Sequence, residues 1–221
     1  REVWRRKLGP GWSSLTVVDG LVFTQEQRGA EECAVCYDAA TGDEVWVYSH
    51  PARFDEALSG AGPRGTPTFA DGRVYVLGAR GELACLAADT GETAWSQDTV
   101  AKFQATVPQW GVSVSPLVTD GMAIVHLGGG NGHGVVALDA VSGEMRWKAA
   151  AGTQTYASPH VVTLNGVRQL VCQDEQGLRG LDVITGQQLW VFQPTGTAYQ
   201  PMLQPHSIDE DELLVAWEGL V

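Results

Sequence analysis

The stretch CAVCYDAATGDEVW, Cys33 to Trp46, opens with two cysteines three residues apart. That spacing serves a zinc ion or a redox disulfide when both thiols point the same way. The run GGGNGHG, Gly128 to Gly134, has the glycine density of a phosphate cradle. Five histidines, His50, His126, His133, His160 and His206, are further candidates for metal or proton chemistry. What each signal means depends on the element that carries it.

The cysteine pair lies in a β-like run. Residues at an odd offset on a strand face opposite ways, so Cys33 and Cys36 are expected to share neither a metal nor a disulfide. Cys172 has no evident partner. GGGNGHG joins two β-like runs and no helical pattern follows it. The helix N-terminus that completes a phosphate site is therefore missing, and a flexible hairpin loop is expected, with His133 part of it. The histidines show no His-x-x-x-His spacing, and there is no Gly-x-Ser-x-Gly elbow. No metal site and no catalytic residue is expected. The pair Glu31-Glu32 and the run Asp209-Glu210-Asp211-Glu212 read as solvated turns.

Composition narrows the partners. The 221 residues are 44% hydrophobic and carry a net charge of −12. Such an acidic surface repels phosphate backbones and anionic lipid, which excludes nucleic acid as the expected partner. No apolar run approaches the ~20 residues of a membrane-spanning helix. The chain starts at Arg1 and ends within the apolar run LLVAWEGLV. It is expected to be a piece of a longer protein.

The pattern after Cys36 recurs. CYDAATGDEVW is followed by CLAADTGETAW (Cys85 to Trp95), ALDAVSGEMRW (Ala137 to Trp147) and GLDVITGQQLW (Gly180 to Trp190). Trp4 looks like the end of an earlier copy. Each copy is preceded by two apolar runs joined by Asp-Gly or Asn-Gly, at 19–20, 71–72, 120–121 and 165–166. Those dipeptides suit the positive φ of a hairpin turn. Each unit thus reads as four antiparallel strands of about 40–50 residues, the repeat size of a β-propeller blade. In VYVL, Val74 to Leu77, both faces are apolar, as in a sheet stacked between two others. The slot held by Cys36, Cys85, Ala137 and Gly180 takes only small residues, so Cys36 reads as a space-filler.

The unit Ala-x-Asp-x-x-Thr-Gly-x-x-x-Trp resembles the tryptophan-docking motif of the PQQ-like β-propellers, the quinoprotein alcohol dehydrogenase-like superfamily. Its members include dehydrogenases, usually eight-bladed, and non-enzymatic BamB-like envelope proteins. The resemblance covers nearly the whole chain. It implies an all-β chain forming about half of an eight-bladed propeller. Residues 1–8 would be the last strand of one blade; 9–50, 64–98, 111–150 and 155–193 four blades; and 198–221 the start of the next. It makes Trp46, Trp95, Trp147 and Trp190, with Asp38, Asp139, Asp182, Gly42, Gly91, Gly143 and Gly186, structural docking residues, each Trp buried between blades. The second copy departs, with Ala87 in place of Asp. The vicinal Cys-Cys frequent in the dehydrogenases is absent, as is a recognisable Lys/Arg cluster for a tricarboxylate. The expectation is therefore a scaffold without cofactor. PQQ and calcium belong to the alternative, a fragment of a PQQ-dependent dehydrogenase. The resemblance places the protein in the bacterial periplasm or cell envelope.

Two links between units are long, His50 to Gly65 and Gln97 to Ser113, and long loops on a rigid scaffold carry binding. Each approach to a first strand holds Ser or Thr: Ser14, Thr66, Ser115 and Ser158. Two residues earlier stand Trp12, Arg64, Ser113 and Tyr156, and the approach Tyr199-Gln200-Pro201 is similar. Trp12, Arg64, Tyr156 and the nearby Trp110 form the expected contact face for a protein or small ligand.

Overall fold

The computed structural model describes residues 2–153, 155–195 and 202–215. Tyr199, Gln200, Pro201 and the segment 216–221 lie outside them. Four four-stranded antiparallel sheets follow one another along the chain. The first is β1 (Thr16–Val18), β2 (Leu21–Arg28), β3 (Glu31–Asp38) and β4 (Glu44–Pro51). A two-stranded hairpin, β5 (Asp55–Glu56) and β6 (Gly60–Ala61), occupies the next link. The second sheet is β7 (Thr68–Ala70), β8 (Arg73–Leu77), β9 (Glu82–Ala87) and β10 (Thr93–Asp98). A short helix, α1 (Thr99–Phe103), follows, capped by the Asp98 carboxylate, which accepts from Ala101 N. The third sheet is β11 (Leu117–Thr119), β12 (Met122–His126), β13 (Val135–Asp139) and β14 (Met145–Ala149). The fourth is β15 (His160–Leu164), β16 (Val167–Asp174), β17 (Gly177–Asp182) and β18 (Gln188–Phe192). A last pair, β19 (His206–Ser207) and β20 (Leu213–Leu214), packs Leu213 on the fourth sheet.

The chain is all-β apart from α1, and its blades form part of a propeller. Second and third strands are buried on both faces, because a neighbouring sheet covers each side: Val74 to Leu77 and Leu83 to Leu86 are all buried. Residues 2–8, expected as a strand, take no regular strand geometry, since no strand among the described residues pairs with them.

One contact repeats at every junction. The indole N–H of Trp4, Trp46, Trp95 and Trp147 donates to a turn carbonyl of the next blade: Ala39, Ala88, Ala140 and Val183 respectively, at 2.9–3.1 Å. The same ring lies on the turn glycine. A Cβ on Gly42, Gly91, Gly143 or Gly186 would sit 2.4–2.8 Å from it, and each glycine has φ between +71° and +76°. Both the left-handed backbone and the close ring require glycine there. The small-residue slot has an equally direct cause. Cys36, Cys85, Ala137 and Gly180 face Trp46, Trp95, Trp147 and Trp190 across the sheet. At Gly180 a Cβ would fall 2.2 Å from the indole nitrogen of Trp190.

Burial is less uniform than the repeat suggests. Trp46 and Trp147 are buried, whereas Trp95 and Trp190 are half-buried. Trp190 meets no following turn among the described residues. Its N–H turns back to Gln169 of its own sheet, and its ring lines an apolar depression with Leu164, Leu178, Phe192 and Leu213.

Candidate functional site

In each blade, the turn between the first and second strands and the Thr/Ser-Gly turn lie at one end. The long links and the β2–β3 type turns lie at the other, the loop end. Strand direction alone dictates this: an antiparallel four-strand meander alternates ends.

At the loop end a ladder crosses the blades. Ser14 N donates to Thr66 Oγ1, Thr66 N to Ser115 Oγ, and Ser115 N to Ser158 Oγ, at 2.8–3.1 Å. Each hydroxyl thus fixes the next approach segment in the same register. Because the segments are in register, the residues two positions earlier come together. Trp12, Arg64, Ser113 and Tyr156 line one depression of about 270 Å³, with Trp110, Ser59 and Met202 completing it. Its lining is almost wholly apolar.

The four expected contact residues are therefore neighbours, but they play different parts. Trp12 is 66% exposed and is steadied by donating its indole N–H to Ser59 O. The Trp110 and Tyr156 rings pack at a tilt with centroids 5.2 Å apart, and the backbone N–H of Trp110 donates to the tyrosine hydroxyl. Arg64 is only 8% exposed. Its guanidinium lies over the Phe54 ring and donates to Trp110 O, Ser59 Oγ and Gly60 O. It clamps the two long links together beneath the aromatics through Nε and Nη2, while Nη1 is buried without a partner among the described residues. Ser59 and Met202 carry no sequence signal, since neither sits in the repeat frame.

The cysteines behave as core atoms. Cys36 packs with Phe23 and Trp46, and Cys33 packs on the opposite face with Val22 and Tyr37. All four cysteines are free and buried. Burial pushes the Cys36 thiol up to about 11, which removes the thiolate needed for chemistry. GGGNGHG is not a loose hairpin. It packs on α1: Gly130 N donates to Gln104 O, and a Cβ on Gly129 would lie 2.5 Å from Phe103 O. The His133 ring stands 5.3 Å from Phe103. Close backbone approach explains those glycines.

Glu32 overturns the solvated-turn reading of Glu31-Glu32. It is 1% exposed and reaches into the next blade, where its Oε2 accepts from Ala79 N at 3.0 Å. Burial raises its pKa to about 7, against the partial relief of that N–H and of Arg64 and Arg80. His50, with its Nε2 3.8 Å away, is held neutral by burial, so the pair is not ionic. A second buried carboxylate, Asp174, accepts from Gly152 N and Arg179 at the junction of the third and fourth blades. The acidic run 209–212 is exposed. Among the described residues no three His, Cys, Asp or Glu side chains meet as a metal site requires.

Relatives of known structure and sequence bear on the fold. A family model described as outer membrane protein assembly factor BamB matches residues 1–135, 34–191 and 110–217. Quinohemoprotein alcohol dehydrogenase ADH-IIG of Pseudomonas putida is 33% identical over 139 residues, 60% of this chain and 18% of that protein. Outer membrane protein assembly factor BamB of Shewanella oneidensis is 26% identical over 186 residues, 80% of this chain and 42% of that protein. The chain thus spans less than half the length of either relative. The structure of quinohemoprotein alcohol dehydrogenase from Comamonas testosteroni superposes with a TM-score of 0.63 at 18% identity, covering 89% of this chain and 37% of that one.

Proposed function

We propose that this chain, which belongs to the PQQ-like β-propeller repeat family, is a non-enzymatic scaffold that binds a protein partner through its loop end. The observation that carries the reading is the convergence of Trp12, Trp110 and Tyr156 on one apolar depression, with Arg64 bracing it from below. Exposed aromatic side chains on a rigid base lose little entropy on binding and dominate the interfaces they enter. By likeness to BamB, the partner is a component of outer membrane protein assembly and the site of action is the periplasm or cell envelope.

The second reading is a segment of a PQQ-dependent dehydrogenase, favoured by the 33% identity to ADH-IIG. PQQ would supply the two-electron oxidation of an alcohol and needs calcium and several cationic partners. The described residues do not fit that group. They gather no metal-binding set, and Arg64, the one cation among the described residues of the loop-end depression, is 8% exposed and held by Nε and Nη2 on Trp110 O, Ser59 and Gly60.

Reconstituting the full-length protein with PQQ and Ca²⁺, followed by a dye-linked alcohol oxidation assay, separates the readings. The scaffold predicts no stoichiometric uptake and no turnover. Tight uptake with turnover hands the protein to the dehydrogenases.

A further inference from the structure

The four Thr/Ser-Gly turns share one backbone scheme and differ in one acceptor. In three of them a carboxylate sits inside the turn. Asp38 Oδ1 accepts from Ala40 N and Thr41 N, Asp139 Oδ1 from Val141 N and Ser142 N, and Asp182 Oδ1 from Ile184 N and Thr185 N, all at 2.7–3.1 Å. The turn favours the charged form. The backbone N–H groups of Thr41 and Ala40 hold Asp38 below its ordinary pKa, and Asp139, helped by Arg146, falls to about 2.

The second blade has Ala87 at this place, yet its turn is unchanged. Gly91 N still donates to Ala87 O at 2.8 Å, Glu92 N still donates to Thr90 Oγ1, and Gly91 keeps φ +73°. The N–H groups of Asp89 and Thr90 are thus set as in the other turns, but they make no hydrogen bond within the described residues. The counterpart of Arg146 is Ala94. With both side chains cut back, a depression of about 340 Å³ opens, lined by Ala87, Ala94, Arg73, Asp71 and Glu92. Arg73 is the cross-strand partner of Ala87, where the other blades place Leu21, Met122 and Gln169. Arg73 is half-buried, and its guanidinium makes no hydrogen bond or ion pair within the described residues.

We infer that this turn is a docking site for the carboxylate of an Asp or Glu side chain on a partner protein, which fills in trans the place that Asp38, Asp139 and Asp182 fill in cis. Two amides and one guanidinium are a charge-assisted donor set suited to one carboxylate. Asp71 and Glu92 on the rim, and Asp89 in the turn, repel a free anion. That repulsion acts on any carboxylate, and neighbouring contacts of a partner, which hold the side chain at high effective concentration, offset it where a small acid has nothing to offset it. The site lies at the opposite end of the blades from the aromatic depression, so it stands or falls independently of that reading.

The test is a titration of the ¹⁵N-labelled chain with a terminally blocked tripeptide carrying one Asp, with acetate, and with chloride at equal ionic strength. The expected result is saturable shifts of the Asp89 and Thr90 amides with the tripeptide, weaker ones with acetate and none with chloride. The amides of Thr41, Ser142 and Thr185 stay still. Ala87→Asp, which fills the turn in cis, abolishes the shifts, and Arg73→Gln weakens the tripeptide at least fivefold; the remaining peaks report that each variant is folded. Shifts that do not saturate, that appear equally at the filled turns, or that survive in Ala87→Asp overturn the site. Acetate binding as tightly as the tripeptide overturns the partner side chain as its ligand.

Discussion

The two ends of the blades follow opposite rules. At the turn end the same contact recurs at four junctions: an indole on a glycine, its N–H on the next turn's carbonyl. At the loop end the links differ in length and content. One holds a small hairpin, another a capped helix, and the residues at equivalent positions are Trp12, Arg64, Ser113 and Tyr156. Repetition marks what every junction needs in order to close. Variation marks what the scaffold can spare for recognition. The Ser/Thr ladder joins the two rules: it is a repeated contact that sets unrepeated side chains in register.

Substitutions can break this contrast. The largest effect is expected at a docked tryptophan. Trp147→Ala removes a buried ring and should lower stability by about 3–5 kcal/mol. Trp190→Ala, whose ring meets no following turn among the described residues, should cost less than half as much in the same urea titration. Equal losses would show that docking is not what the repeated indole provides. Next comes Gly143→Ala. Its Cβ would lie 2.8 Å from the Trp95 ring at φ +73°, and strain of this kind costs about 1–3 kcal/mol.

Glu32→Gln sharpens the contrast through pH. The folded carboxyl has a pKa of about 7, above its ordinary 4.5, so the folded state holds the proton more tightly than the unfolded one. Stability therefore falls as pH rises from about 4.5 through about 7, and below that window the group contributes nothing. Glutamine keeps an oxygen for Ala79 N and loses the titration. The variant should exceed wild type by about 3 kcal/mol at pH 8 and match it near pH 4.5. A pH-independent difference in thermal unfolding would refute the buried carboxylate. The smallest effect on stability belongs to Trp12→Ala: within about 0.5 kcal/mol, as for an exposed side chain.

What the sequence made legible follows the same division. The in-phase Thr/Ser-Gly-x-x-x-Trp copies carried the four-stranded blades, because a packing need repeated in space repeats in the chain. They also placed Trp12, Arg64, Ser113 and Tyr156 at one offset from a Ser/Thr. The sequence did not disclose that Arg64 is a brace, since that depends on Ser59, Gly60 and Trp110, which arrive from links outside the repeat. It misread Glu31-Glu32, because the partner of Glu32 is a backbone N–H 47 residues away and a backbone donor leaves no trace in residue type. GGGNGHG was misjudged for a similar reason: Gly129 and Gly130 answer to the carbonyls of Phe103 and Gln104 at the end of α1, and Gly128 to that of Thr153.

The central claim is that the loop end meets a partner and the turn end chiefly closes the scaffold. The most direct measurement is site-specific photocrosslinking of the full-length protein in its native envelope. One photoreactive residue replaces Trp12 at the loop end, and another replaces Glu144 at the turn end, away from the second blade. The account predicts a discrete protein adduct from position 12, lost when Trp110→Ala and Tyr156→Ala are added, and none from position 144. Adducts of equal strength from position 144, or none from position 12 in a folded protein, would contradict it.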